Sequence, residues 1–348
     1  MRATPNLWRA LLFSALLLAL AVPPGSVKAL AGQQQEGQQK PPEEKKPEFS
    51  ISVEAPLVKV DAVVTNQDGD ILSGLKKQNF RVLDDGVPQT ITNFAPTDAP
   101  ITIVMLVEFS RLGYGFFSYT GTYWSYDFLN HLNKEDWVAL VTYDLKSHIE
   151  VDFTQNKAEV QNAISHLFFP SFSEANLWDA ILDTLDRLKE VKGKKSILIV
   201  ASGFDTFSKH TYDQALKQLR QTEVTIFCVG TGEFFAVRQA GGSEINFLQA
   251  QNQLQSVARL TGGYAWFPRF DGEIPGIFDS VAAFLRNQYT LGYSPTNGLN
   301  DGKFHKVKVE ILDDNGQPLV LTDKKGKKKK IIVYSREGYQ APKGPIGD

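Results

Sequence analysis

The chain has 348 residues, 42% hydrophobic and 22% charged, an ordinary globular balance at a length that calls for about two cores rather than one. The formal net charge of −2 excludes the broad positive field of a general nucleic-acid binder, so nucleic acid is not an expected partner. A single cysteine, Cys228, excludes an internal disulfide.

The chain opens with Arg2 and Arg9 flanking the apolar run "ALLFSALLLALAV" (Ala10 to Val22), followed by "PPGSVKALAG". Small residues there sit at cleavage-type spacing, as in Val27-Lys28-Ala29 and Ala29-Leu30-Ala31. The pattern reads as a secretory signal peptide over 1–31, with an uncleaved anchor as the alternative. No cysteine lies nearby to take a lipid. Export without disulfides suits a chain large enough to bury a real core. Expected locations are the periplasm, the cell surface or the medium. Residues 32–48, "GQQQEGQQKPPEEKKPE", have almost nothing to bury and read as a flexible linker.

From 49 to 99 the grammar is β. "FSISVEAPLVKVDAVVTN" alternates at period two, "NQDGD" is a turn, and Asp85-Gly86 marks a hairpin within "FRVLDDGVPQTITNFAP". From 100 to 287 it is α/β. "ITIVMLVEF", "DWVALVTYD", "KSILIVAS" and "VTIFCVG" are continuous apolar runs, the mark of strands covered on both faces. Helical patterns lie between them, at Ala158 to Leu167, Leu177 to Val191, Tyr212 to Thr222, Phe247 to Leu260 and Ile274 to Gln288. Helical spacing also puts the aromatics of Tyr123 to Leu132 in the core. From 288 to 342 strands return in "QYTLGYSP", "KFHKVKVEILD", "LVLTD" and "KKIIVYSREGY", and 343–348 is a tail. Each β segment is small, so the two are expected to pack together. The expected fold is an α/β domain with a mainly parallel, Rossmann-like sheet, inserted in or flanked by a β-sandwich of N- and C-terminal strands.

The apolar run "IVMLVEFSRLG" ends on Glu108, followed by Ser110 and Leu112. With the helix-rich middle and "ILIVASGFDT", it resembles a von Willebrand factor type A domain. The flanks "VDAVVTNQDGDILSGLKKQNFRVLDDGVPQTITNF" and "YTLGYSPTN…GKFHKVKVEI…SREGYQAP" resemble exported bacterial proteins related to that family, best known from Acidobacteria. The resemblance covers nearly all of Phe49 to Pro342. It implies a metal-ion-dependent adhesion site: Asp-x-Ser-x-Ser from one loop, Thr from a second, Asp from a third, usually around magnesium. Residue by residue this sequence departs from that set. Glu108 stands for the first Asp, Ser110 is kept, and Leu112 replaces the second Ser. Asn176 stands for the Thr and Ser202 for the third-loop Asp, with Asp205 three residues on. Magnesium demands near-octahedral oxygen ligation. Leu112 supplies no oxygen, and at most one carboxylate occupies these positions. A degenerate site without tight magnesium binding is therefore expected, water-mediated help from Asp205 being the way around it. No other cofactor is indicated.

Ligands of open α/β sheets sit beyond the carboxyl ends of the strands. The loops expected there carry Tyr114, Phe116, Phe117, Phe169, Phe172, Phe234 and Phe235, a candidate contact face for a protein or glycan. Of these, Tyr114, Phe116, Phe117, Phe172, Phe234 and Phe235 are the partner-binding candidates.

Other signals are weaker. "GTGEFF" lacks the third glycine of a nucleotide-binding turn, and Val200 stands where a nucleophile elbow needs glycine. His131, His148, His166, His210 and His305 show no zinc spacing and read as surface or packing residues. Asp179, Asp183 and Asp186 suit the solvated face of a helix. Cys228 reads as a buried, inert thiol. "DKKGKKKK" (Asp323 to Lys330) reads as a solvated turn, with weak contact to an anionic membrane surface as the alternative. The expectation is an exported, non-enzymatic interaction module. The rivals are a metal-dependent adhesin around Glu108 and Ser110, and a hydrolase with a pocket at Glu108, Ser110, Ser202 and Asp205.

Overall fold

A computed structural model of the chain describes residues 57–95, 99–111, 113, 122–170, 172–232, 244–296 and 301–343. The predicted signal segment and linker lie outside them. The described residues all belong to one compact unit.

The first strands are β1 (Val58–Asn66), β2 (Phe80–Asp84), β3 (Val87–Gln89) and β4 (Ile91–Ala95). The turn after β1 is closed by Asn66, whose Oδ1 accepts the N–H of Asp68 at 2.8 Å and of Asp70 at 3.0 Å. β2 and β3 form a hairpin in which Asp84 pairs with Val87. The two turn residues, Asp85 (φ 48°) and Gly86 (φ 83°), are both left-handed, as a tight hairpin turn of this length requires.

The α/β part follows. Its strands are β5 (Ile101–Glu108), β6 (Trp137–Tyr143), β7 (Ser147–Thr154), β8 (Lys194–Ala201), β9 (Thr225–Gly230) and β10 (Ala265–Trp266). Its longer helices are α1 (Thr122–Asn130), α2 (Lys157–Ser165), α3 (Leu177–Arg187), α4 (Tyr212–Leu219), α5 (Glu244–Thr261) and α6 (Ile274–Arg286). The strand order is β10-β9-β8-β5-β6-β7. All neighbours run parallel except β7, which is antiparallel to β6. Every residue of β5 is buried, which explains its unbroken apolar run: helices cover both faces. One face carries α1, α2 and α6 through Trp124, Phe128, Ile164 and Phe278. The other carries α3, α4 and α5 through Ile181, Leu219, Leu254 and Val257. The helical reading of Tyr123 to Leu132 is met by α1. Trp124, Phe128 and Leu129 are buried, while Tyr123 faces solvent. Cys228 is fully buried in β9, and burial pushes its thiol far above the ordinary range.

The closing strands are β11 (Tyr289–Tyr293), β12 (Phe304–Ile311), β13 (Leu321–Thr322), β14 (Lys328–Lys329), β15 (Ile331–Ser335) and β16 (Gly338–Gln340). They complete two antiparallel sheets, β15-β1-β11-β4 and β16-β12-β2-β3. Both sheets therefore mix strands from the two ends of the sequence. Val60, Val64, Val82, Leu291, Tyr293 and Val309 fill the core between them. The fold class read from the sequence is the one observed.

Sandwich and α/β core are stitched together. Val63, on the opposite face of β1 from Val64, joins the α1/α6 core. Lys194 Nζ donates to the carbonyl of Gln288 at 2.5 Å. Buried Arg336 donates to the carbonyls of Gly338 at 2.7 Å and Arg220 at 3.2 Å. The lysine-rich segment is a hairpin of β13 and β14, its turn held by Asp323 Oδ1, which accepts from the N–H of Lys325 and of Lys327.

Candidate functional site at the strand ends

β5 lies where the winding of the sheet reverses: the chain builds β6 and β7 on one side, then β8, β9 and β10 on the other. The crevice beyond the carboxyl ends of such strands is the usual ligand position in open α/β sheets. Glu108 ends β5 there, and Ser202 directly follows β8.

These two and Ser110 form one hydrogen-bonded cluster. Glu108 Oε1 accepts from Ser110 Oγ at 2.6 Å. Its Oε2 accepts from the Ser202 N–H at 2.6 Å and from Ser202 Oγ at 2.7 Å. Gly113 N–H donates to Ser110 Oγ at 3.2 Å. Glu108, Ser110 and Ser202 are all at most 2% exposed. Burial raises the Glu108 carboxyl above its ordinary range, against the lowering effect of its hydrogen bonds. Gly113 is needed for close approach: a Cβ there would stand 2.9 Å from Glu108 Cγ and 2.7 Å from its carbonyl oxygen.

The surrounding loops are tied to one another by backbone bonds. Phe109 N–H donates to Tyr143 O, Arg111 N–H to Phe172 O, Asn176 N–H to Asp144 O, and Thr206 N–H to Ala175 O. Asn176 stands at the amino end of α3 and donates through Nδ2 to Leu145 O at 2.8 Å. Its Oδ1 is buried with no hydrogen-bond partner among the described residues. Asp205 does not join the Glu108 cluster by any hydrogen bond found among the described residues. Its Oδ1 accepts the Trp178 N–H at 3.2 Å and Ser208 Oγ at 2.5 Å, which places it at the first turn of α3. Orphan N–H groups at a helix start attract a carboxylate.

Of the aromatic candidates, Tyr114, Phe116, Phe117, Phe234 and Phe235 lie outside the described residues. Phe172 is exposed, and so is Phe169, at 81%. Two rings that the sequence reading did not single out join them: Phe168, and Phe207 at 72%. Phe168, Phe169 and Phe172 occupy the loop between α2 and α3. Phe207 belongs to the loop after β8, whose Thr206 bonds Ala175. Phe204, by contrast, turns inward onto Phe247, ring centroids 5.0 Å apart.

No curated protein matches the chain. Among solved structures it is similar to proximal thread matrix protein 1 from the mussel byssus, at 12% identity and a TM-score of 0.43, over 54% of this chain and 49% of that one. The chain thus spans about half the length of the mussel protein. It is similar to the vWF domain of the type V pili tip protein Mfa5 from Porphyromonas gingivalis, at 13% identity and a TM-score of 0.38, over 54% and 95% of the two chains. It is also similar to a von Willebrand factor type A structure from Catenulispora acidiphila, at 11% identity and a TM-score of 0.42, over 82% and 74%. The family model described as von Willebrand factor type A domain matches residues 125–257. That stretch runs from α1 into α5, and with the observed sheet it supports a von Willebrand factor type A domain as the α/β part of this chain.

Proposed function

We propose that this chain is an exported, non-enzymatic interaction module that engages a protein or glycan through the strand-end loops of its von Willebrand factor type A domain, without a metal ion. The observation that carries this reading is the state of Glu108. Three protein donors at 2.6–2.7 Å already engage both oxygens of its carboxyl group. Magnesium needs several hard oxygen ligands and charge to balance it. Ser202 donates its hydroxyl to Glu108, and Asp205 is held at the start of α3 through Oδ1. One carboxylate and two hydroxyls are a poor match for magnesium, which prefers more oxygen ligands and more negative charge. Exposed rings are a sound alternative source of binding energy, because large apolar patches mark interaction sites.

One observation favours the metal-dependent rival: the buried, unpartnered Oδ1 of Asn176 is a free oxygen ligand. A hydrolase finds less support. Glu108, Ser110 and Ser202 are closed to solvent, and no histidine bonds to them among the described residues. Export is read from the N-terminal sequence. Among the described residues no helix is long and apolar enough to cross a membrane. The flanking segments carry the resemblance to exported bacterial relatives of the family.

A variant combining Phe169→Ser, Phe172→Ser and Phe207→Ser tests the contact face. Exposed side chains contribute little to folding, so its Tm should fall within about 2 °C of wild type. Screened in EDTA against glycan arrays and purified envelope proteins, wild type should bind a ligand that the variant does not. Binding that survives all three changes, or that requires added divalent metal, would count against the reading.

A further inference from the structure

A second cluster of chemically capable side chains lies in the sandwich, away from the strand-end loops. Asp84 ends β2, Asp85 begins the turn to β3, and His305 is the second residue of β12. Pairing of β12 with β2, with Val307 opposite Asp84, carries the imidazole to the hairpin turn. The ring is buried and stacks on Tyr339, centroids 5.3 Å apart and 17° from parallel.

Both ring nitrogens face carboxylates. Nε2 lies 3.1 Å from Asp301 Oδ1. Nδ1 lies 2.9 Å from Asp85 Oδ2 and 3.6 Å from Asp84 Oδ1. Asp84 is fully buried. Its Oδ2 accepts from Tyr293 and Tyr339 hydroxyls, each at 3.0 Å. Its Oδ1 accepts no hydrogen bond among the described residues and lies 3.6 Å from the imidazole Nδ1. One ligand atom from each of Asp84, Asp85 and His305 lies within 4.8 Å of the other two.

A neutral imidazole has one N–H. Given to Asp301 from Nε2, it leaves the Nδ1 lone pair facing two anionic oxygens. A positive charge between them, either a metal ion or a second ring proton, makes that arrangement favourable. We propose that Asp84, Asp85 and His305 form a binding site for a divalent transition-metal ion of the zinc class, with Asp301 orienting the imidazole. The ligand types fit: imidazole nitrogen with carboxylate oxygens suits zinc rather than magnesium or calcium. Asp301 then completes a carboxylate–histidine–metal relay, and the two tyrosines fix the other oxygen of Asp84, as outer partners of metal ligands do. Asp85 is half-exposed, which leaves a route for the ion and a position for water. Ligands about 2 Å from one ion stand at most about 4 Å apart, so a small turn of the exposed Asp85 completes the set. Sequence spacing cannot reveal the site, because its ligands come from positions 84, 85 and 305. The ion would pin the first hairpin to a strand of the closing β segment, a cross-link in a chain that has no disulfide.

The competing occupant is a proton. Burial disfavours the charged ring, but the hydrogen bond to Asp301 and the fields of Asp301, Asp84 and Asp85 prevail and hold His305 above its ordinary range. Titration with zinc separates the two. The full chain, stripped with EDTA and dialysed, is titrated with zinc sulfate by calorimetry at about pH 7.5, where metal ligands compete well with protons. One ion per chain is expected to bind with a Kd below about 10 µM. Asp85→Asn, at a half-exposed position, should weaken binding at least about tenfold without unfolding the protein. His305→Gln should abolish binding, and zinc should raise the Tm of wild type but not of that variant. Asp186→Asn, at an exposed position on α3, should leave zinc binding unchanged. No binding up to about 100 µM zinc, or binding that both Asp85→Asn and His305→Gln leave intact, overturns the proposal and assigns the space to a proton.

Discussion

A Glu108→Ala variant is expected to be less stable than wild type by about 2–4 kcal/mol, read as a Tm about 5–12 °C lower. The Ser202 N–H, which donates to Oε2 at 2.6 Å, would lose its acceptor inside a buried strand end. The hydroxyls of Ser110 and Ser202 would lose theirs, and a cavity would open beside Gly113. Buried donors left unmade each cost about 1–3 kcal/mol, although hydroxyls can turn to new partners. Glu108→Gln keeps the volume and one acceptor oxygen, so it should cost less than the alanine change. The two variants also separate the charge from the hydrogen bonds. Burial holds the Glu108 carboxyl above its ordinary range, so the native state binds this proton more tightly than the unfolded chain does. Stability from this group is complete below the ordinary glutamate pKa and declines as pH rises through the raised native value. Wild type should therefore lose stability relative to Glu108→Gln as pH increases from about 4. Equal melting of the alanine variant and wild type would mean that the carboxylate does not knit the strand ends together.

Trp124→Ala is expected to cost about 3–5 kcal/mol, the range for removing a large buried aromatic. Trp124 lies flat on Phe278, centroids 4.3 Å apart and 8° from parallel, and Phe128 meets the same ring edge-on at 6.3 Å. The three rings join α1 to α6 over the face of the sheet. Chemical denaturation should show a reduced midpoint with a nearly unchanged slope. A loss under about 1 kcal/mol would place α1 outside the cooperative core.

The parts of this fold that bury on both faces are the parts legible in the sequence. β5, β8 and β9 are continuous apolar runs because helices cover them above and below. β7 escaped that reading. Its "SHIEVDFT" is an edge strand with partly exposed residues throughout, so it carries neither an apolar run nor clean alternation. Helical spacing separated Trp124 and Phe128 from the exposed rings, whereas Phe168 and Phe207 stand in loops, where no periodicity announces exposure. At the candidate site, residue chemistry was readable and partnership was not. Glu108, Ser110 and Ser202 meet because β5 and β8 are neighbours in the sheet. Asp205 looked like their companion, but the free N–H groups of α3 claim it. The His305 cluster joins positions that only the composite sandwich brings together.

The claim that hydrogen bonds replace a metal at Glu108 is tested most directly by magnesium calorimetry on the EDTA-treated full chain, beside Glu108→Ala. No saturable heat is expected up to about 5 mM magnesium in either protein. Submillimolar binding by wild type that Glu108→Ala loses would contradict it, and would make the strand-end face a metal-dependent adhesion site.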